Sequence, residues 1–301
     1  MGCENQRTIE KNKKINNGYP VCKLTIPLTM EVDALVALSE DKLLLGGKEE
    51  LQLFEGQNKT LSEVSKEHNG RINCLIRLSD GKIVSGGQDS TIKVWDIEKK
   101  QSIFTLKGHT SMIWDIKELP DNKLISASDD NKSKIWDLNA KKEVCTLYTS
   151  QRHISAIAIL NNDKIIMASG RQLILFNLKT KKQESCLDIK KGVWCLKVLS
   201  NGNVAAGLGN GLLYIIEVKD ELLIKIIFVQ GHKKTINCII ELDNHKIVTS
   251  SDENDLILWD PNEPESMYLI KGHNDFVTYL CFVSGTRFAS VSRDGTLKIW
   301  E

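Results

Sequence analysis

Four tryptophans, Trp95, Trp136, Trp259 and Trp300, close near-copies of one phrase: SGGQDSTIKVW, SASDDNKSKIW, TSSDENDLILW and SVSRDGTLKIW. The first two lie 41 residues apart, and so do the last two. Phe54, Phe176 and Ile216 stand where further units at that spacing need their anchors, which gives seven units of about 41 residues from residue 29 to residue 301. A unit of this size cannot bury its apolar face alone, so its neighbours must cover it, and the period dictates a propeller or a solenoid.

Inside a unit the residues alternate with the period of strands. RINCLIRL at 71–78 is bounded by Ser-Asp-Gly, then KIVSGG turns at Gln-Asp-Ser into TIKVWD, and a lysine-rich turn leads into SIFTL. These are four short strands with β-branched residues at the buried places, and only five prolines interrupt the whole chain. Four-stranded antiparallel sheets repeated about a ring make a propeller, so the expected fold is all-β and seven-bladed. The last unit stops at Trp300-Glu301 on its third strand, while residues 22–28, CKLTIPL, read as a strand without a partner upstream. That segment is expected to complete the last blade and close the ring, covering an edge that would otherwise invite aggregation. The division is then an arm at 1–21, read as flexible, and a propeller at 22–301.

A net charge of +1 gives no bulk attraction to nucleic acid. Cys74, Cys195 and Cys238 occupy one place in their repeats, inside apolar strands, which reads as small buried thiols in a reducing compartment rather than a disulfide framework. No stretch has the length and apolarity of a membrane-spanning helix or a secretory leader. The expected location is the cytoplasm.

The chain resembles the WD-repeat propellers. In that family a blade carries Gly-His before its first strand, Ser or Thr on the second, Asp in the following turn and Trp-Asp closing the third. The third unit matches with Gly108, His109, Ser126, Asp130, Trp136 and Asp137, and the second with His68, Ser85, Asp89, Trp95 and Asp96, Glu67 replacing the Gly. The sixth has Gly231, His232, Thr249, Glu253, Trp259 and Asp260, and the seventh Gly272, His273, Ser290, Asp294 and Trp300. Units one, four and five depart: Leu28, Ser150 and Ile189 take the histidine place and Leu45, Met167 and Ala206 the serine place, so apolar packing alone is expected to hold them.

A histidine, a hydroxyl and a carboxylate in each of four units are read as a buried structural network. A catalytic triad needs one exposed nucleophile beside an oxyanion site, not four copies at one period. With no nucleophile elbow, zinc-spaced pair or phosphate-binding loop in the sequence, no enzyme and no cofactor are expected.

The resemblance implies contacts on the top face, around the central channel. Three and five places after the structural histidine, and just before the turn acid, the candidates are Arg71, Asn73, Met112, Trp114, Asp129, His153, Trp194, Asn237, Asp252, Phe276 and Arg293. Trp114 and Trp194 are the tryptophans that the blade pattern leaves unexplained. They read either as binding anchors or as packing between blades. Asp129 and Asp252 suit a basic group, Arg71 and Arg293 an acidic one. That mixture fits a peptide or protein partner rather than nucleic acid, which wants one sign of charge.

The start, MGCENQRTIEKNKK, resembles doubly acylated proteins, with Gly2 a candidate for myristate and Cys3 for palmitate, although Gln6 replaces the expected Ser or Thr. Arg7, Lys11, Lys13 and Lys14 could add a peripheral membrane contact. An ordinary tail is the alternative. Bottom-face turns carry Lys99, Lys100, Lys141, Lys142, Lys179, Lys181 and Lys182, which read either as a basic surface for anionic lipid or as solvated turns. Two roles stay open: an interaction scaffold, or a substrate-recognition subunit of a catalytic complex such as a ubiquitin ligase. The residues after the Trp-Asp pairs, Ile97-Glu98, Leu138-Asn139 and Pro261-Asn262, lack the Arg that resembles a ligase-adaptor signature in this family.

Overall fold

The computed structural model describes residues 19–301, so Gly2, Cys3 and the basic residues up to Lys14 lie outside the described residues. Seven antiparallel sheets of four strands each make up the described chain. Blade 2 shows the plan: Ile72–Arg77 lies innermost, followed outward by Ile83–Gly87, Thr91–Asp96 and Gln101–Lys107. The innermost strands line the channel. One face of the ring, the top, carries the second turn of each blade and the crossings between blades; the bottom carries the first and third turns.

The core runs between blades rather than within them, as the repeat length requires. Trp95 of blade 2 packs with Ala34, Leu44 and Leu51 of blade 1, and Trp136 of blade 3 with Val84, Ile92 and Val94 of blade 2. Blades 1, 4 and 5 substitute apolar groups where the others hold polar ones. Leu45 and Phe54 are buried together, as are Met167 with Phe176 and Ala206 with Ile216. Packing is not the whole account in blade 4, however, because Ser150 at the histidine place meets the Ser169 hydroxyl at 2.5 Å.

Ring closure follows the expectation. Cys22–Pro27 pairs antiparallel with Thr296–Trp300, placing Leu24 opposite Ile299 and Ile26 opposite Leu297. The Val21 N–H donates to the Glu301 carbonyl at 2.8 Å and the Glu301 N–H returns the bond at 3.1 Å. Tyr19 stacks on Tyr268 with centroids 3.9 Å apart, so the chain joins the body at the bottom of blade 6, three residues before the expected start of the propeller at Cys22.

One local feature recurs in all seven innermost strands. The register with the second strand slips over a single residue, and those residues are Asp33, Asn73, Trp114, Ser155, Trp194, Asn237 and Thr278. A bulge leaves its residue out of the ladder and re-aims its side chain, here at the upper mouth of the channel.

A second regularity is found on the bottom. The turns between third and fourth strands in blades 1 to 4 end on Lys59, Lys100, Lys141 and Lys181, with φ of 54°, 55°, 54° and 57°. This left-handed conformation costs a residue with a Cβ about 1 kcal/mol and a glycine nothing.

Candidate functional site

The four histidines occupy one buried geometry. In blade 3, His109 Nδ1 lies 2.7 Å from Asp130 and Nε2 2.7 Å from the Ser126 hydroxyl, which accepts the Trp136 indole N–H at 2.8 Å. Blade 2 repeats it with His68 to Asp89 at 2.8 Å, to Ser85 at 2.6 Å, and Trp95 to Ser85 at 2.7 Å. Blade 7 uses His273, Asp294, Ser290 and Trp300, and blade 6 His232, Glu253, Thr249 and Trp259, where the longer glutamate stands 3.1 Å from the ring. Each carboxylate also accepts a backbone N–H from the residue after its histidine, as Asp130 does from Thr110. With the carboxylate holding a proton on Nδ1, Nε2 accepts the Ser126 proton, and the indole occupies the hydroxyl oxygen. Ser126 is fully buried, so no substrate atom reaches it. Every polar group in the chain of bonds is satisfied inside a packed blade, which is what makes burial tolerable.

Titration follows from the same burial. Desolvation pushes the His109 and His273 imidazoles below their ordinary value, more than Asp130 and Asp294 raise them. Burial pushes the Asp130 carboxyl up, but the His109 and Thr110 bonds outweigh it and hold it low. Asp89 is likewise held low, and Glu253 too, by its bond from His232.

The upper mouth opens on a channel cavity of about 750 Å³. Its wall includes Cys74, Cys195 and Cys238, with burial raising the Cys238 thiol to about 11. The seven bulge residues ring the mouth and divide into three kinds. The first kind ties neighbouring blades together: Asn73 donates to the Ile113 carbonyl at 2.9 Å, Ser155 to Val193 at 2.6 Å, Asn237 to Val277 at 3.2 Å and Thr278 to Val32 at 2.8 Å. Asn73 and Asn237, expected to face a partner, are therefore committed to the adjoining blade by the bulge geometry.

Asp33 is the second kind. With Glu31 it holds both arginines of the rim: Arg71 donates to Asp33 at 2.7 Å and to Glu31 at 2.5 Å, and Arg293 to each at 2.5 Å. The expectation that Arg71 and Arg293 await an acidic partner gives way to this internally neutral quartet, which bridges blades 7, 1 and 2 over the closing seam. The pairing was invisible in sequence because its members come from the first, second and last units, 38 to 262 positions apart.

Trp114 and Trp194 are the third kind. They leave blades 3 and 5 and meet edge to face above blade 4, with centroids 6.3 Å apart, and His153 lies 6.2 Å from Trp194. Gly209 makes room: a Cβ there would fall 2.9 Å from the Trp194 indole nitrogen. Trp194 stays 42% exposed, which excludes burial between blades for that ring, whereas Trp114 is half-buried and its N–H faces Asp129 at 3.5 Å. Met112 is half-buried beside this group and gives its carbonyl to the Asp129 N–H at 2.9 Å. Across the mouth Phe276 is 41% exposed beneath the Lys234 ammonium, and Asp252 accepts the Asn237 amide at 2.9 Å. Neither Asp129 nor Asp252 faces a cation among the described residues. The mouth thus has a self-neutralised charged side on blades 7, 1 and 2 and an aromatic side over blades 3 to 5.

Known proteins share the repeat and the fold. The family model of the WD domain, G-beta repeat, matches residues 59–96, 100–137, 224–260 and 264–301, the stretches that end in the four tryptophan phrases. Over 53 residues the chain is 36% identical to the F-box/WD repeat-containing protein sel-10 of Caenorhabditis elegans, covering 18% of this chain and 9% of that protein. Over 107 residues it is 30% identical to the p21-activated protein kinase-interacting protein 1-like of Danio rerio, covering 32% and 29%. The chain therefore spans less than a third of either relative's length. The WD40 β-propeller domain of Doa1 superposes with a TM-score of 0.82 at 18% identity, covering 95% of this chain and 98% of that one.

Proposed function

This chain belongs to the WD domain, G-beta repeat family, and we propose that it acts as a non-catalytic scaffold whose aromatic mouth captures a peptide or protein partner. The observation that carries this is the meeting of Trp114 and Trp194 over blade 4 with an indole left open to solvent. Two large rings stand at bulges that elsewhere hold short polar groups and make no tie to the neighbouring blade's backbone, and tryptophans are what binding anchors are made of. Asp129 and Asp252, which accept only neutral donors among the described residues, favour a partner segment that presents a basic side chain beside an apolar one. Affinity purification from cells, comparing the parent with a Trp114→Ala/Trp194→Ala variant, tests it. The variant keeps the parent's circular dichroism and loses its partners by more than about thirtyfold; an unchanged set of partners ends the proposal.

A second role is favoured by one observation, the similarity to an F-box/WD repeat-containing protein. In that role the same mouth would deliver a substrate to a ubiquitin ligase, and ligase subunits would co-purify with the parent. Tethering through Gly2 and Cys3, with a cytoplasmic location, completes the proposal; labelling cells with an alkynyl myristate, with Gly2→Ala as control, checks it, and an unlabelled parent ends it.

A further inference from the structure

The bottom face carries a recurring lysine at the end of one turn in four consecutive blades. Lys59, Lys100, Lys141 and Lys181 end equivalent turns in four consecutive blades, all exposed and all in the left-handed conformation that glycine or asparagine adopts without strain. Glu221 ends the blade 5 turn in the same conformation, with φ of 63°, so the backbone belongs to the turn and the recurrence of lysine to blades 1 to 4. Lys99, Lys142, Lys179 and Lys182 are exposed beside them; the four turns contain no arginine, and the acids in or flanking them are the exposed Glu98 and the half-buried Glu55, Asp96 and Asp137 at the ends of the third strands. The equivalent turn of blade 5 has the opposite sign, with Asp220 and Glu221, and that of blade 6, Pro261-Asn262, carries no charge and leads into Glu263. The bottom therefore has a basic arc on one side only.

Most acids nearer the channel are paired, while Glu40 and Asp163 are exposed in the first turns of blades 1 and 4. Asp41 faces Arg287 at 3.9 Å, Asp121 faces Lys123 at 3.6 Å, and Asp80 is paired with Lys82. Within the arc, Lys99 contacts Asp96 at 3.1 Å and Lys141 lies 5.2 Å over Phe104, and both residues are exposed.

We propose that this arc docks the propeller on an anionic lipid surface. Lysines are point charges that serve a diffuse field, whereas a specific phosphate site draws on the planar fork of arginine. Single-stranded nucleic acid would want aromatic rings between the charges. The chain also joins the body on this face, at blades 6 and 7 rather than within the arc, where Tyr19 stacks on Tyr268 and Val21 pairs with Glu301. The aromatic mouth opens on the opposite face, so the two surfaces can be occupied together and each proposal stands or falls separately.

The test uses full-length unacylated protein sedimented with vesicles of phosphatidylcholine, with and without about one third phosphatidylserine, at about 0.15 M salt. Parent protein binds the anionic vesicles only, and less as salt rises. The quadruple variant Lys59→Gly, Lys100→Gly, Lys141→Gly and Lys181→Gly binds more than about a hundredfold more weakly, while its melting temperature holds or rises because strain is relieved. The matching lysine-to-arginine variant keeps the binding. Equal binding to neutral vesicles, undiminished binding by the glycine variant, loss in the arginine variant, or binding confined to duplex DNA overturns the proposal.

Discussion

The Ser126 hydroxyl shows how much one small group carries. It links the imidazole of a crossing between blades to the indole that anchors a third strand. Ser126→Ala leaves a buried ring nitrogen and an indole N–H without partners, and the expected loss is about 2 kcal/mol, read as a lower melting temperature. Acid should act through the networks of blades 3 and 7. The imidazoles of His109 and His273 titrate below their unfolded value of 6.5, so the unfolded chain binds more protons and stability declines as pH falls through that value. The carboxylates of Asp130 and Asp294 are held below 3.8, so their contribution is present above that value and is lost further down, as each folded carboxyl protonates. Both signs agree. Thermal melts from pH 7 to pH 5 should show a steady fall, and a flat profile would contradict the neutral-imidazole network.

The bulged innermost strand is the element that converts a repeat into a site. Where its side chain is short and polar it ties two blades together, and where it is an indole it leaves the tie unmade. Thr278→Val should cost about 1 kcal/mol by stranding the Val32 carbonyl. Trp194→Asn should hold the melting temperature near the parent's, because a new tie offsets the lost ring contact; thermal denaturation of both variants distinguishes a structural slot from a free one. Sequence spacing located these positions, since all seven stand at one offset from the histidine place. It did not tell their uses, because an Asn at such a slot looks alike whether it meets a partner or the Ile113 carbonyl. The strands themselves were legible throughout, even in blades 1, 4 and 5, because Phe54, Phe176 and Ile216 keep the period after the polar network is gone.

At the scale of the whole ring, closure depends on contacts between residues more than two hundred positions apart. Ile26 sits in the cluster that joins blades 7 and 1. Ile26→Asp should cost more than about 3 kcal/mol by placing a carboxylate in that seam, visible as an early melting transition and rapid proteolysis. Spacing anticipated the strand but not the quartet of Glu31, Asp33, Arg71 and Arg293 above it, since charge pairing over such distances leaves no period. The bulge has a wider implication for how such a ring changes over generations. It fixes where seven side chains point and leaves their identity open, so the mouth works as a set of exchangeable fittings. Two now hold tryptophan, four act as fasteners, and one anchors the charged bridge. A lineage could acquire a new partner by refitting a single position while the remaining fasteners keep the wheel true.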